Sequence, residues 1–159
     1  MKSGRIDGID KDISRIVLGT MIVTIKEEER SYALLDAAYE SGITAFDTAV
    51  VYAGGNSERC LGPWVTDRKL RDKVVIISKG CHPSSERQRV TPEDLDSDLR
   101  DSLSRLQLDT IDIYMLHRDD PSVPVGPIVE AFNAHLKAGR IRAFGGSNWR
   151  HERISQAND

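Results

Sequence analysis

Residues Ala45 to Gly62 read AFDTAVVYAGGNSERCLG. The stretch opens as an apolar strand and closes as a helix, with Asp47, Tyr52 and the pair Gly54-Gly55 between them. A strand, a glycine turn and a helix make one βα unit. In parallel α/β folds the functional groups gather at the carboxyl ends of the strands. Asp47 stands at such an end, and the loop after it carries Tyr52 over the same rim. Asn56 and Ser57 are the N-cap candidates of the following helix, read as Asn56 to Val65.

The unit repeats on both sides. Ile16 to Met21 reads as a short buried strand and Glu27 to Ser41 as a helix, with Leu34, Leu35 and Ala38 inward and Gly42 as its stop. Ile43 to Ala49 is the second strand, and Lys73 to Lys79 the third. Thr91 then caps a helix with Pro92 at its first position and an apolar stripe of Leu95, Leu99, Leu103 and Leu106. Ile111 to His117 is the fourth strand. Ile128 to Lys137 is a helix with Ile128, Val129, Phe132 and Leu136 inward, stopped by Gly139. Ile141 to Phe144 is the fifth strand, and Glu152 to Ala157 begins another helix. Ahead of all this, Arg5-Ile6, Asp7-Gly8 and Ile13 suggest a small hairpin. Strands apolar on both faces belong to parallel sheets. A (β/α) barrel and an open doubly wound sheet both satisfy the pattern.

The chain has 159 residues, enough for one domain with a real core. Its net charge is −3, from 22 basic and 25 acidic residues, so no basic excess points to nucleic acid or anionic lipid. No apolar run reaches the ~18 to 20 residues of a membrane span, and the first 25 residues carry no signal-peptide core. Two cysteines, Cys60 and Cys81, make no disulfide framework. A reducing cytoplasm is the expected compartment.

The strand ends collect an unusual set: Gly19-Thr20-Met21, then Asp47 with Tyr52, then Lys79, then His117, then Ser147-Asn148. Each has a bland explanation, but one site accounts for an acid, a phenol, an ammonium and an imidazole on one rim. An ordinary phenol titrates near pH 10, and a nearby cation favours its ionised form. Lys79 would supply that cation, Asp47 would hold it, and a neutral His117 would direct a carbonyl oxygen. The set suits protonation of an oxygen that gains charge as a hydride arrives. Side chains carry no hydride, so a cofactor must supply it.

The chain resembles the aldo-keto reductases in GITAFDTAVVYAGGNSERCLG (Gly42 to Gly62), VVIISKG (Val74 to Gly80), IDIYMLHRDDP (Ile111 to Pro121) and GRIRAFGGSNW (Gly139 to Trp149), in the family's order. The resemblance implies a (β/α)8 TIM barrel and reduction of aldehydes or ketones with NADPH (NADP+), the choice against NADH being left open. It implies a catalytic set of Asp47, Tyr52, Lys79 and His117, with Tyr52 the proton donor. It places cofactor contacts on Gly19, Thr20, Met21 and Asp47, and on Ser147 and Asn148 at the carboxamide. The family usually has Val at Gly146, which would loosen this strand, and often Gly at Ala53. The triplet His117-Arg118-Asp119 matches a kinase catalytic loop, but Pro124 stands where that loop needs Asn.

A TIM barrel takes about 250 residues. Five strands make an incomplete barrel with unpaired edges. Residues 1–159 are therefore expected to form a single domain, the N-terminal portion of a reductase barrel. The remaining strands would come from missing sequence or from another chain. Two alternatives accompany the reductase reading: a non-catalytic nucleotide-binding or regulatory protein on the same fold, and an inactive fragment.

Overall fold

The computed structural model describes residues 1–159. Parallel pairing needs a crossover of a dozen residues or more, and each helical stretch between strands supplies one. The elements run β1 (Ser3–Gly4), β2 (Ile13–Ser14), β3 (Val17–Gly19), α1 (Glu28–Glu40), β4 (Ala45–Asp47), α2 (Asn56–Asp67) and β5 (Val75–Gly80). There follow α3 (Pro92–Leu106), β6 (Ile111–Leu116), α4 (Val125–Lys137), β7 (Ile141–Gly146) and α5 (His151–Asn158). Strands β3 to β7 form one parallel sheet in chain order. Consecutive helices pack on one another from α1 to α5. Doubly wound sheets reverse strand order and carry helices on both faces. Sequential order with one helical layer is five-eighths of a TIM barrel, with β3 and β7 as open edges.

Two apolar layers flank the sheet. Phe46, Ile76, Tyr114 and Leu116 turn toward the helices and join Leu61, Trp64, Leu95 and Leu99 in the main core. On the other face Ala45 and Val75 are covered by Ile9 and Ile13 of the β1–β2 hairpin. That hairpin plugs the amino-terminal end of the strands. Lys11 Nζ donates to the Val74 carbonyl and to Asp112 Oδ1, both at 2.8 Å. The fully buried Asp112 also accepts from Arg71 at 2.7 Å and from the Ile76 amide at 2.9 Å. Ser14 and Thr44 exchange amide-to-hydroxyl bonds, each 2.9 Å, where the strand ladder has a gap.

Several expectations need correction. The first strand is shorter than Ile16 to Met21, and it is not buried: Ile16 is 58% exposed, because an edge strand has one flank open. The second strand runs only from Ala45 to Asp47, shorter than Ile43 to Ala49. Neither Asn56 nor Ser57 caps α2. The N-cap is Gly55 at φ +86°, without a side-chain bond, and Ser57 is drawn inward instead. In α4, His135 is buried and Leu136 exposed. Both follow Phe132 at helical spacing, and the residue seven beyond Ile128 takes the inner face. Gly146 does not loosen its strand: it pairs with Leu116, and a Cβ there would meet the Trp149 ring at 2.5 Å. The missing side chain makes room for that indole. The Thr91 cap and Pro92 start of α3 are as read, with Thr91 Oγ1 accepting from the Asp94 amide.

Candidate active site

The carboxyl ends of the strands converge on an open cleft of about 580 Å3. Its walls hold Asp47, Tyr52, Lys79, His117, Met21, Ser147 and Asn148, together with Val51, Ala53, His82 and Arg118. Register explains the convergence. Gly19 pairs with Asp47 across β3 and β4, and Lys79 lies two residues beyond Ile77, the partner of Asp47 in β5. Period two then puts the Asp47 and Lys79 side chains on one face.

Lys79 is the hub. Its buried ammonium contacts Asp47 Oδ1 at 2.6 Å and donates to the Thr48 carbonyl at 2.8 Å and the Tyr52 hydroxyl at 3.3 Å. A buried ammonium is stable only when its hydrogens find partners, and here three oxygens serve. Lys79 Nζ also stands 4.8 Å from the Tyr52 ring centroid. Because the phenol oxygen accepts from Lys79, its own hydrogen is free for another acceptor.

His117 forms the facing wall. Its ring meets Tyr52 edge-on at 5.8 Å and His82 edge-on at 4.9 Å. Burial, then the positive charge of Lys79, holds its pKa down to about 4, so the imidazole is neutral at pH 7. Nδ1 is buried without a partner. An orphaned lone pair costs less than an orphaned N–H, so we assign the proton to Nε2. The His117 carbonyl accepts from Asn148 Nδ2 at 3.0 Å, and Asn148 Nδ2 also reaches Ser147 Oγ at 2.9 Å. Asn148 holds φ at +61°, a conformation that asparagine tolerates.

Gly19 and Thr20 do not line the cleft. Thr20 is fully buried, and its hydroxyl bonds the Asp47 carbonyl at 3.1 Å and shares a hydrogen with Ser57 at 2.8 Å. Ser57 in turn meets Thr48 at 3.0 Å. These three hydroxyls lace the ends of β3 and β4 to α2. Asp119, of the kinase-like triplet, pairs with Arg153 at 3.1 Å. Cys81 is buried, and burial pushes its thiol pKa up, which leaves it inert.

A family model described as "Aldo/keto reductase family" matches residues 15–159. The chain belongs to the aldo/keto reductase family. Among its relatives is the aldo-keto reductase YhdN of Bacillus subtilis, 34% identical over 156 residues, which covers 90% of this chain and 46% of YhdN. The uncharacterized oxidoreductase YrpG of the same organism is 32% identical, with 86% and 46% covered. Among solved structures, a glycerol dehydrogenase from Gluconobacter oxydans superposes with TM-score 0.86 at 27% identity, covering 98% of this chain and 51% of that one. An aldo-keto reductase from Klebsiella pneumoniae, solved with NADPH, gives TM-score 0.76 at 32% identity, with 91% and 49% covered. This aldo/keto reductase chain thus spans about half the length of the relatives it matches.

Within the aldo/keto reductase cleft, His82 and Arg118 were not picked out from sequence. Both follow a strand end closely. Extending the strand-end rule into the next loop would have found them.

Proposed function

We propose that the chain carries the catalytic end of a reductase that converts aldehydes or ketones to alcohols with NADPH. One observation carries the reading: a buried ammonium touches both a carboxylate and a phenol, with a neutral imidazole facing the phenol. NADPH would supply a hydride to the carbonyl carbon. Met21, Asp47, Ser147 and Asn148 would hold its nicotinamide end. The fit is chemical: Ser147 and Asn148, both in the cleft wall, offer a hydroxyl and an amide oxygen for a carboxamide. Thr20 would act only by fixing the strand ends.

The residues divide the work. His117 Nε2–H donates to the carbonyl oxygen and fixes its direction. Tyr52 gives that oxygen a proton as negative charge builds on it. Lys79 stabilises the phenolate left behind, and Asp47 keeps Lys79 in place. Regeneration requires a proton from solvent, which the open cleft admits. Residues 1–159 act as one domain, the N-terminal portion of the barrel, and further strands come from additional sequence or another chain. Two buried free thiols suit a reducing cytoplasm.

The test follows NADPH oxidation at 340 nm with a small aldehyde, beside NADPH binding by fluorescence. Tyr52→Phe is expected to lower kcat by about 100-fold or more, within the usual range of general-acid effects, with NADPH binding unchanged. Equal rates in both proteins remove Tyr52 from its role. Tight NADPH binding without turnover on any carbonyl favours a nucleotide-binding protein without catalysis.

A further inference from the structure

A buried ion pair lies behind the cleft and takes no part in the chemistry above. Glu58, in the first turn of α2, is fully buried. Its Oε1 accepts the Ser78 hydroxyl at 2.7 Å, and its Oε2 lies 3.5 Å from Arg105 Nη1. Arg105, from the last turn of α3, donates through that nitrogen to the Val50 carbonyl at 3.1 Å and through Nη2 to Asp101 at 3.3 Å. Its guanidinium lies flat on Gly55, where a Cβ would stand 2.9 Å from Nη1 and 3.0 Å from Cζ. Burial raises the Glu58 carboxyl pKa, while Ser102, Ser78 and Arg105 oppose the rise.

The positions of these contacts matter. Ser78 immediately precedes Lys79 in β5. Val50 and Gly55 bracket Tyr52 in its loop. The pair therefore grips the strand of Lys79 at one end and the loop of Tyr52 at the other. That loop is held from outside at few points. It contains Ala53 and Gly54 at positive φ. Side chains of Lys79, Arg105 and Asn56 hydrogen-bond the 50–55 segment, and the Val50 amide donates to the Lys79 carbonyl at 3.0 Å. The Tyr52–Lys79 contact is already 3.3 Å long, just beyond the usual range of about 2.7 to 3.2 Å for such a bond.

We infer that Glu58 and Arg105 are positioning residues that set the separation between the Tyr52 hydroxyl and the Lys79 ammonium. The inference rests on the reading of Tyr52 as proton donor and Lys79 as its cation. Removing the brace lets the loop drift. A misplacement of about 1 Å can cost on the order of 100-fold in rate without touching the cofactor.

The test reads Tyr52 directly in the full chain. Four tyrosines are present, Tyr32, Tyr39, Tyr52 and Tyr114, so ζ-13C-tyrosine labelling gives four resonances, and Tyr52→Phe assigns one. Arg105→Met and Glu58→Gln are expected to shift the Tyr52 resonance and leave Tyr32 and Tyr39 in place. Arg105→Lys, which keeps the charge, is expected to restore it. In turnover, Arg105→Met lowers kcat by about tenfold or more, with the KM for NADPH within about twofold, and Arg105→Lys recovers most of the loss. A Tyr52 resonance unmoved in Glu58→Gln, which keeps shape and the Ser78 bond, overturns the inference even if Arg105→Met fails to fold. So does a failure of Arg105→Lys to restore it. Absence of NADPH oxidation by the wild type counts against the proposed reduction alone, because the resonance needs no turnover.

Discussion

His117 is where burial and chemistry meet most directly. Its folded pKa, about 4, lies below the ordinary value near 6.5. A depressed histidine pKa means that the unfolded chain binds the proton first as pH falls. Stability from this group is complete above about pH 6.5 and is lost between there and pH 4. At pH 4.5 the loss amounts to about 2 kcal/mol. Urea unfolding at pH 7.5 and 4.5 should therefore show the wild type losing about 2 kcal/mol more than His117→Gln. Ala53 offers a second test. It sits at φ +50°, a conformation that costs a non-glycine residue about 1 to 2 kcal/mol. Ala53→Gly removes that strain but loosens the unfolded chain by about 0.4 to 1 kcal/mol. A net gain of about 0.5 kcal/mol is expected in urea titrations. At this scale the sequence was informative wherever a polar residue stood at a strand end. Asp47, Tyr52, Lys79 and His117 were legible for that reason. Thr20 also stands at a strand end, but spacing does not say that its hydroxyl is already committed to neighbouring hydroxyls.

The elements were legible in kind and order, less so in extent. Apolar alternation marks where a strand exists but not how far its regular ladder runs: β4 ends at Asp47 although apolar residues continue and the Val50 amide still donates to the Lys79 carbonyl. The choice between His135 and Leu136 was open for a similar reason: both spacings lie on the same helical face. Packing between elements can be tested at Gly62. A Cβ there would come within 1.9 Å of the Leu106 carbonyl oxygen, which is backbone and cannot swing aside. Helix propensity alone favours Ala over Gly by about 1 kcal/mol. Overpacking costs about 1 to 3 kcal/mol in ordinary cores and more against a fixed backbone. Gly62→Ala should therefore lose about 2 kcal/mol or more by thermal or urea unfolding. An unchanged or raised Tm would show that α2 and α3 can slide apart freely.

For the whole molecule, periodicity left two architectures open because both alternate strands and helices. What separates them is strand order, which depends on contacts between distant units. The open edges have a physical cost. Ile16, Val17, Met21 and Ile22 are exposed around β3 and Ile154 beside β7. Unpaired edges and apolar patches invite association. The 17.7 kDa chain is expected to bind a hydrophobic dye and to scatter light as a species larger than a monomer. A dye-dark monomer would contradict that expectation. The opposite end of the sheet is closed by the hairpin, and that closure has a consequence in time. Lys11 and Asp112 lie 101 residues apart. A ribosome adds about 5 to 20 residues per second, so roughly 5 to 20 s separate the two. During that interval the hairpin is held on the nascent strands only through Ser14 with Thr44 and Lys11 with the Val74 carbonyl, and Lys11 and Arg71 await their carboxylate. The first residues synthesised are thus among the last to lock, which leaves the early chain in need of shelter until the fourth parallel strand emerges.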